Sequence, residues 1–252
     1  MPNPFDAGSA RLLAHLEFPA LATTSGGFAA SLGRLDMTLD RGTVIEHVAV
    51  IAAATPLPVN ADSERCFADT LDGVAETVAL LADAGAAGCS IEDWDPDAGR
   101  IDPIDTAVER VRAAAGAAAD HGIVLTARCE NHLHGITDLD DTIDRLVAYR
   151  DAGAEVLYAP GLTDLADITR VVAETASPIN ALLMPHGPTV GELAAAGVRR
   201  VSVGSALAHI GYGAIVAAAS SLQRDGTIAN SFPRLDRTLV VAAFSKESQH
   251  EA

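Results

Sequence analysis

The feature that most limits the possible folds is a regular alternation of short apolar segments with longer segments rich in alanine and leucine. The short segments contain many β-branched residues and are typical of strands, whereas the longer ones carry the i, i+3, i+4 apolar spacing of helices. The predicted strands are residues 18–24, 57–62, 88–92, 123–128, 155–159, 178–184 and 199–203. The predicted helices are residues 9–16, 44–54, 74–84, 104–119, 139–152, 164–175 and 190–196.

Near-continuous hydrophobic strands joined by helices indicate a parallel sheet that is covered on both faces. An eighth, shortened strand is possible at Met1, Pro2 and Asn3. Seven or eight βα units in 252 residues favour a (β/α)₈ TIM barrel with a C-terminal helical extension over an open sheet. We expect residues 1–244 to form one domain and the polar residues 245–252 to be a disordered tail.

The charge of the chain limits its partners. The sequence has 34 acidic and 17 basic residues and a formal net charge of −17, which would repel a phosphate backbone, so we expect no nucleic-acid partner. No apolar run is long enough to cross a bilayer, and the first residues lack the pattern of a signal peptide. These features predict a cytoplasmic protein without a membrane partner.

Lysine is nearly absent. Sixteen of the 17 basic residues are Arg, and the single Lys is Lys246 in the polar tail. A Schiff base with a carbonyl substrate and a P-loop both require a lysine in the folded core, so both are excluded. An enzyme of this composition that formed an enolate would have to stabilise its charge with a metal ion or an arginine.

Carboxylates follow two consecutive predicted strands. Asp62 and Glu64 end the segment PVNADSE, and Glu92 ends the next strand, GCSIE. Carboxylate oxygens at one edge of a sheet are the ligands that Mg²⁺ prefers, and Mn²⁺ accepts the same ligands. The alternative is that these residues are N-caps of the helices that follow.

Further polar residues lie at the ends of other predicted strands, where barrel enzymes have their active sites. They are the turn at residues 23–27, Arg128 with Glu130, Asn180, and the pair Gly204 and Ser205. Together with the carboxylates, they would suit a small anionic substrate that is bound through a divalent metal, with Arg128 as a second positive contact.

Several segments in a fixed order resemble the isocitrate lyase/phosphoenolpyruvate mutase superfamily. They are TTSGGFAASLG, PVNADSE, GCSIED, TARCENHLHG, DLDDTIDRLVAYRDAGAEVLYAPGL and GELAAAGVRRVSVGSALA, and the resemblance extends from Asn3 to about Gly226. It implies an Mg²⁺-dependent barrel lyase that forms or breaks C–C or P–C bonds next to a 2-oxo acid through an enolate-like intermediate.

The resemblance also implies roles for individual residues. Ser25, Gly26 and Gly27 would bind the carboxylate and carbonyl groups of the substrate, and Asp36 would be a catalytic residue that positions metal-bound waters or the reacting group. The metal ligands would be Asp62, Glu64 and Glu92. Arg128 would bind the substrate carboxylate or phosphonate and, with Glu92, belong to the catalytic residues.

The loop after Glu92 departs from the superfamily pattern. In isocitrate and methylisocitrate lyases it contains Lys-Lys-Cys-Gly-His, whose Cys is a proton donor, and in the phosphonate enzymes it contains a Lys with Asn or Thr. Residues 93–100 here read DWDPDAGR. The expected reaction is therefore C–C cleavage, including decarboxylation, of a small 2-oxo or 2-hydroxy di- or tricarboxylate. P–C chemistry on a phosphonopyruvate-like compound and a catalytically silent carboxylate-binding protein are the alternatives.

Other candidate residues divide into those expected at the site and those expected elsewhere. His186 could face the substrate, as could Asn180 unless it only orders its strand, and Cys66 is a candidate proton donor. Cys89 and Cys129 are expected in the core, and His132 and His134 at the surface, while Trp94 could cover the ligand.

The C-terminal region favours self-association. Residues 212–221 and 239–244 are apolar, and superfamily members exchange a C-terminal helix between subunits. The resemblance therefore implies a homo-oligomer, either a dimer or a tetramer, with a swapped C-terminal helix.

Overall fold

The structure is a computed structural model that describes residues 1–228 and 233–245. Within them the strands are β1 (Leu21–Ala22), β2 (Val59–Asp62), β3 (Gly88–Glu92), β4 (Trp94–Asp95), β5 (Arg100–Ile101), β6 (Val124–Arg128), β7 (Val156–Tyr158), β8 (Ile179–Leu182) and β9 (Arg200–Ser202). The α-helices are α1 (Ala7–His15), α2 (Ser25–Ser31), α3 (Arg41–Ala54), α4 (Leu71–Asp83), α5 (Ile104–His121), α6 (Leu139–Asp151), α7 (Leu165–Thr175), α8 (Val190–Ala195), α9 (Ala206–Asp225) and α10 (Arg237–Phe244).

Seven strands form one parallel sheet in the order β1-β2-β3-β6-β7-β8-β9. Each of them lies within a predicted strand segment. The antiparallel hairpin of β4 and β5 was not predicted, because its strands are only two residues long and show no periodicity.

Residues 1–3 lie between β9 and β1, at the eighth position of the barrel. The amino group of Met1 donates to the carbonyl of Val201 at 2.8 Å, and the amide of Ala22 donates to the carbonyl of Pro2 at 3.1 Å. The buried side chain of Asn3 also contacts both neighbouring strand ends. The prediction of a (β/α)₈ TIM barrel is confirmed, and the extent of the single domain stays a prediction.

The main hydrophobic core lies between the sheet and the surrounding helices, and it contains outward-facing strand residues such as Leu125 and Leu157. Three helices, α4, α6 and α8, end in an Ala-Gly pair that is followed by a return to the sheet. Gly85, Gly153 and Gly197 have φ angles of 93°, 113° and 94° at these positions, a backbone conformation that a side chain disfavours. The helix ends thus direct each following strand back into the barrel.

The C-terminal extension consists of α9 and α10. The α10 helix packs on α1 of the same chain, where Arg11 donates to the carbonyl of Phe244 at 3.3 Å. Among the described residues, none of the helices combines the length and apolar character needed to cross a membrane. Of the predicted tail, only Ser245 lies within the described residues.

Candidate active site

A cavity of about 200 Å³ opens at the carboxyl ends of the strands. Its lining includes five of the predicted site residues, namely Ser25, Asp36, Asp62, Arg128 and Asn180. Gly26 lies against Asp36, whereas Gly27, Glu64 and Glu92 are buried and do not line this cavity. His186 is exposed and is not part of the wall.

Arg128 is the centre of the charged part of the site. Its Nη1 donates to Asp62 at 2.7 Å, its Nη2 lies 3.1 Å from Glu92, and its Nε donates to Glu130 at 2.8 Å. β2, β3 and β6 are neighbours in the sheet, and Glu92 and Arg128 are aligned in register. The side chain of Arg128 also lies over the ring of Tyr158. The carboxylates therefore surround a guanidinium group.

One guanidinium does not balance the negative charge around it. Burial raises the pKa of Glu92 and of Glu130 in spite of the attraction of Arg128. Burial and the charges of Asp62 and Asp36 raise the pKa of Glu64 to about 8. The Oε1 atom of Glu64 is buried and has no hydrogen-bond partner among the described residues. A bound cation would offset this excess of negative charge.

The predicted Mg²⁺ ligands fit the metal in donor chemistry, since all are hard oxygen donors and Glu64 has an oxygen without a partner. Their arrangement differs from the predicted triad, because Arg128 lies between Asp62 and Glu92. Across residues 1–228 and 233–245, no three His, Cys, Asp or Glu side chains converge on one point as ligands of a metal ion. The ligand roles of Asp62, Glu64 and Glu92 stay predictions.

The turn at residues 24–27 starts α2 beside Asp62. Thr24 is the N-cap, and the amide of Ser25 donates to Oδ2 of Asp62 at 3.0 Å. A Cβ atom at Gly26 would lie 2.8 Å from Oδ2 of Asp36 and 2.8 Å from Oγ of Ser205. The absence of a side chain at Gly26 therefore lets Asp36 and Ser205 approach the turn.

The β4–β5 hairpin occupies the loop after Glu92, and contacts of the hairpin and its flanking residues anchor it to the barrel. Trp94 stacks on His134 with ring centroids 3.4 Å apart, and neither residue lines the cavity. The carboxylate of Asp102, directly after β5, accepts from Arg65 at 2.9 and 3.2 Å. Asp93 is buried and accepts from the hydroxyl of Tyr149 at 2.6 Å.

The three cysteines and His132 do not line the cavity. Cys66, Cys89 and Cys129 are free and fully buried, as was expected for Cys89 and Cys129. Burial raises the pKa of the Cys66 thiol to about 11, and no cavity contact supports the idea that it donates a proton. His132 contacts Thr142 at 3.2 Å at the start of α6.

Sequence reasoning missed Arg200, Tyr158 and Thr126, all of which line the cavity. Arg200 donates from Nη2 to Oγ1 of Thr126 at 2.6 Å and from Nε to Oδ1 of Asn180 at 3.1 Å. The available signal was a charged residue within a predicted barrel strand, because a buried strand carries such a residue only where it has a partner or faces a cavity.

Comparison with known proteins agrees with this geometry. The family model described as "Phosphoenolpyruvate phosphomutase" matches residues 1–223. The crystal structure of a "putative lyase/mutase" from Burkholderia cenocepacia J2315 has 49% sequence identity and a TM-score of 0.92, covering 97% of this chain and 90% of that one. The structure of oxaloacetate acetylhydrolase with the product oxalate has 26% identity and a TM-score of 0.86, covering 98% and 89%.

A curated relative gives a similar result over a shorter region. "Probable 2-methylisocitrate lyase 2" of Corynebacterium glutamicum is 32% identical over 197 residues, which are 75% of this chain and 63% of that protein. The chain thus spans less than two thirds of the length of this relative. Because the family model covers most of the chain, this protein belongs to the phosphoenolpyruvate phosphomutase family within the isocitrate lyase/phosphoenolpyruvate mutase superfamily.

Proposed function

We propose that the protein is a Mg²⁺-dependent lyase that cleaves a C–C bond of a small 2-oxo or 2-hydroxy di- or tricarboxylate. The observation that carries the proposal is the cavity wall at the strand ends, where Ser25, Asp36, Asp62 and Arg128 lie together. This wall combines donors for a carboxylate with carboxylate oxygens for a cation. The names of the lyase relatives and the oxalate held by oxaloacetate acetylhydrolase support the same substrate class.

Each residue would contribute one part of the chemistry. The hydroxyl of Ser25 and the free amide of Gly26 would orient the 2-oxo acid group, since the amides of Ser25 and Gly27 already bond to Asp62 and Thr24. Asp62 and Glu64 would hold Mg²⁺, with Glu92 as the third predicted ligand. The metal, when bound, would supply positive charge next to the oxygen on which enolate charge develops.

Arg128 would act as a fixed positive contact for the substrate. Three carboxylates hold its guanidinium in place, so it would bind a carboxylate without losing further conformational freedom. Asp36 lines the cavity beside Gly26, where it would position waters next to the reacting group.

Decarboxylation of an oxaloacetate-like acid is the reaction that best fits the loop. The C–C bond to the terminal carboxylate breaks, CO₂ leaves, and the electron pair forms the enolate of the remaining 2-oxo acid. A proton from water then adds to the enolate carbon. The β4–β5 hairpin and its turn, residues 94–101, contain no Lys, Cys or His, and this reaction needs no acid from them.

The test is a product assay on a panel of 2-oxo and 2-hydroxy di- and tricarboxylates together with phosphonopyruvate, with release of a 2-oxo acid and of phosphate as separate readouts. We expect Mg²⁺-dependent release of the 2-oxo acid from at least one carboxylate, and a loss of about 100-fold or more in Asp62→Asn. Asp69→Asn is the matched control, because its carboxylate is 97% exposed. Release of phosphate together with pyruvate from phosphonopyruvate, or its conversion to phosphoenolpyruvate, without turnover of the carboxylates would assign P–C chemistry. No turnover of any compound would favour the silent carboxylate-binding protein.

A further inference from the structure

We propose that Arg200 binds a second carboxylate of the substrate and thereby selects dicarboxylates over monocarboxylates. The inference rests on the proposed function, because it assigns to the same cavity a second anion-binding position. It starts from the difference between the two arginines that line the wall, Arg128 and Arg200.

The two guanidinium groups differ in their partners. Arg128 is matched by three carboxylates. Arg200 forms no ion pair with any carboxylate in residues 1–228 and 233–245, and its two hydrogen-bond acceptors, Asn180 and Thr126, are both neutral. Its Nη1 atom has no acceptor within that part of the chain. Arg200 therefore keeps both an uncompensated positive charge and free donors at the cavity.

Such a charge is costly to bury without a counter-ion. Burial lowers the pKa of Arg200 to about 10, opposed only by the nearby Tyr158. A carboxylate that enters the cavity would supply the missing counter-charge and could accept two parallel hydrogen bonds from the guanidinium group. An anion would therefore bind more favourably at Arg200 than at Arg128, because the charge of Arg128 is already compensated.

The position of Arg200 suits the second group of a small dicarboxylate. Its Nη2 reaches Thr126, which precedes Arg128 by two residues on β6 and faces the same cavity. Two residues along a strand correspond to about 6.6 Å. Arg200 therefore contacts β6 about one layer of side chains away from the position of Arg128, a spacing that a short dicarboxylate can span.

Asn180 acts as a positioning residue for Arg200. Its Oδ1 accepts from Nε of Arg200 at 3.1 Å, and its Nδ2 donates to Oγ of Ser202 at 3.0 Å. The two residues are also paired in register between β8 and β9. Both ends of the amide are thus committed to protein groups, which fixes the direction of the guanidinium group.

The experiment measures dissociation constants by calorimetry with Mg²⁺ present. The probes are pyruvate, which has one carboxylate, and 3,3-difluorooxaloacetate, which adds a second. Arg200→Met should weaken binding of the dicarboxylate by about 10- to 100-fold and that of pyruvate by less than about 3-fold. Arg200→Lys keeps the charge and should recover part of the lost affinity. Arg199→Gln is the matched control, because the neighbouring Arg199 is exposed.

A selective loss of affinity for the dicarboxylate distinguishes substrate recognition from a structural role. A structural role would weaken the binding of both probes alike. Equal losses for the two probes, or no loss for either, would overturn the proposal, and thermal unfolding curves show whether each variant is folded. If Arg200→Met does not fold, the same comparison is made with Arg200→Gln, which also removes the charge. Wild-type protein that binds neither probe would reject the proposed function itself, and the role of Arg200 with it.

Discussion

At the scale of single residues, the balance of charge decides what each side chain can do. Arg128 and Arg200 are the same residue type in one cavity, yet three carboxylates surround the first, whereas the second donates to the neutral oxygens of Asn180 and Thr126. A buried charge with matched partners is fixed, whereas one without them favours a ligand of opposite charge. The difference in partners, more than the residue type, distinguishes their proposed roles.

His47 gives a prediction at this scale. It stacks on Phe28 with ring centroids 3.6 Å apart, and its Nε2 is buried without a hydrogen-bond partner in the described part of the chain. Burial lowers its pKa to about 4, below the usual 6.5. The folded state therefore disfavours the protonated ring. His47 should not affect the free energy of unfolding above about pH 6.5, and it should lower that free energy as the pH falls towards 4. A shift of this size corresponds to at most about 3 kcal/mol.

The measurement is urea unfolding of the wild type and of His47→Phe between pH 4 and pH 7.5. The substitution keeps the aromatic stack and removes the titrating group, so the free energy of unfolding should fall less steeply in acid. His186→Gln is the control, since this histidine is exposed. Parallel pH profiles for the wild type and His47→Phe would show that His47 does not cause the acid sensitivity.

At the scale of elements, α9 has large apolar side chains that the rest of the chain leaves exposed. Ile210, Ile215 and Val216 have exposed fractions of 67%, 62% and 65%, and their positions are spread around the helix. A helix that is apolar on several sides is stable in water only when another surface covers it. We propose that a second copy of the chain covers α9, in a dimer or tetramer with exchanged C-terminal helices.

Light scattering of the purified protein tests this proposal. The wild type should have the mass of a dimer or tetramer, and Ile215→Glu should shift the population towards the monomer because a charge at a buried interface is unfavourable. Glu76→Gln, at an exposed position on α4, should leave the mass unchanged. A wild-type mass equal to that of one chain would reject self-association.

At the scale of the whole molecule, the sequence pattern predicts the barrel and the edge on which the site lies. The seven strands alternate with helices, so the carboxyl ends that carry Asp62, Glu92 and Arg128 had to meet at one edge. The pattern does not determine which side chain lies between which others. Asp62 and Glu92 were expected to share a metal, whereas Arg128 lies between them.

The missed features have a common cause. Arg200 could be placed on a strand from sequence, but its route across the barrel to Thr126 depends on the packing of strands that are 74 residues apart in sequence. The β4–β5 hairpin depends on long-range contacts such as the stack of Trp94 on His134. Local propensity carries little information about contacts of this kind.

The central claim is that this cavity stabilises an enolate with the help of Mg²⁺, and titration of the metal-stripped protein with oxalate tests it most directly. Oxalate has the shape and charge of a pyruvate enolate, so the test does not depend on knowing the substrate. We predict binding that is about 100-fold tighter with Mg²⁺ than without it, and that is lost in Asp62→Ala and in Arg128→Ala but retained in Asp69→Asn. Oxalate affinity that is unchanged by Mg²⁺, or the absence of binding under both conditions, would contradict the account.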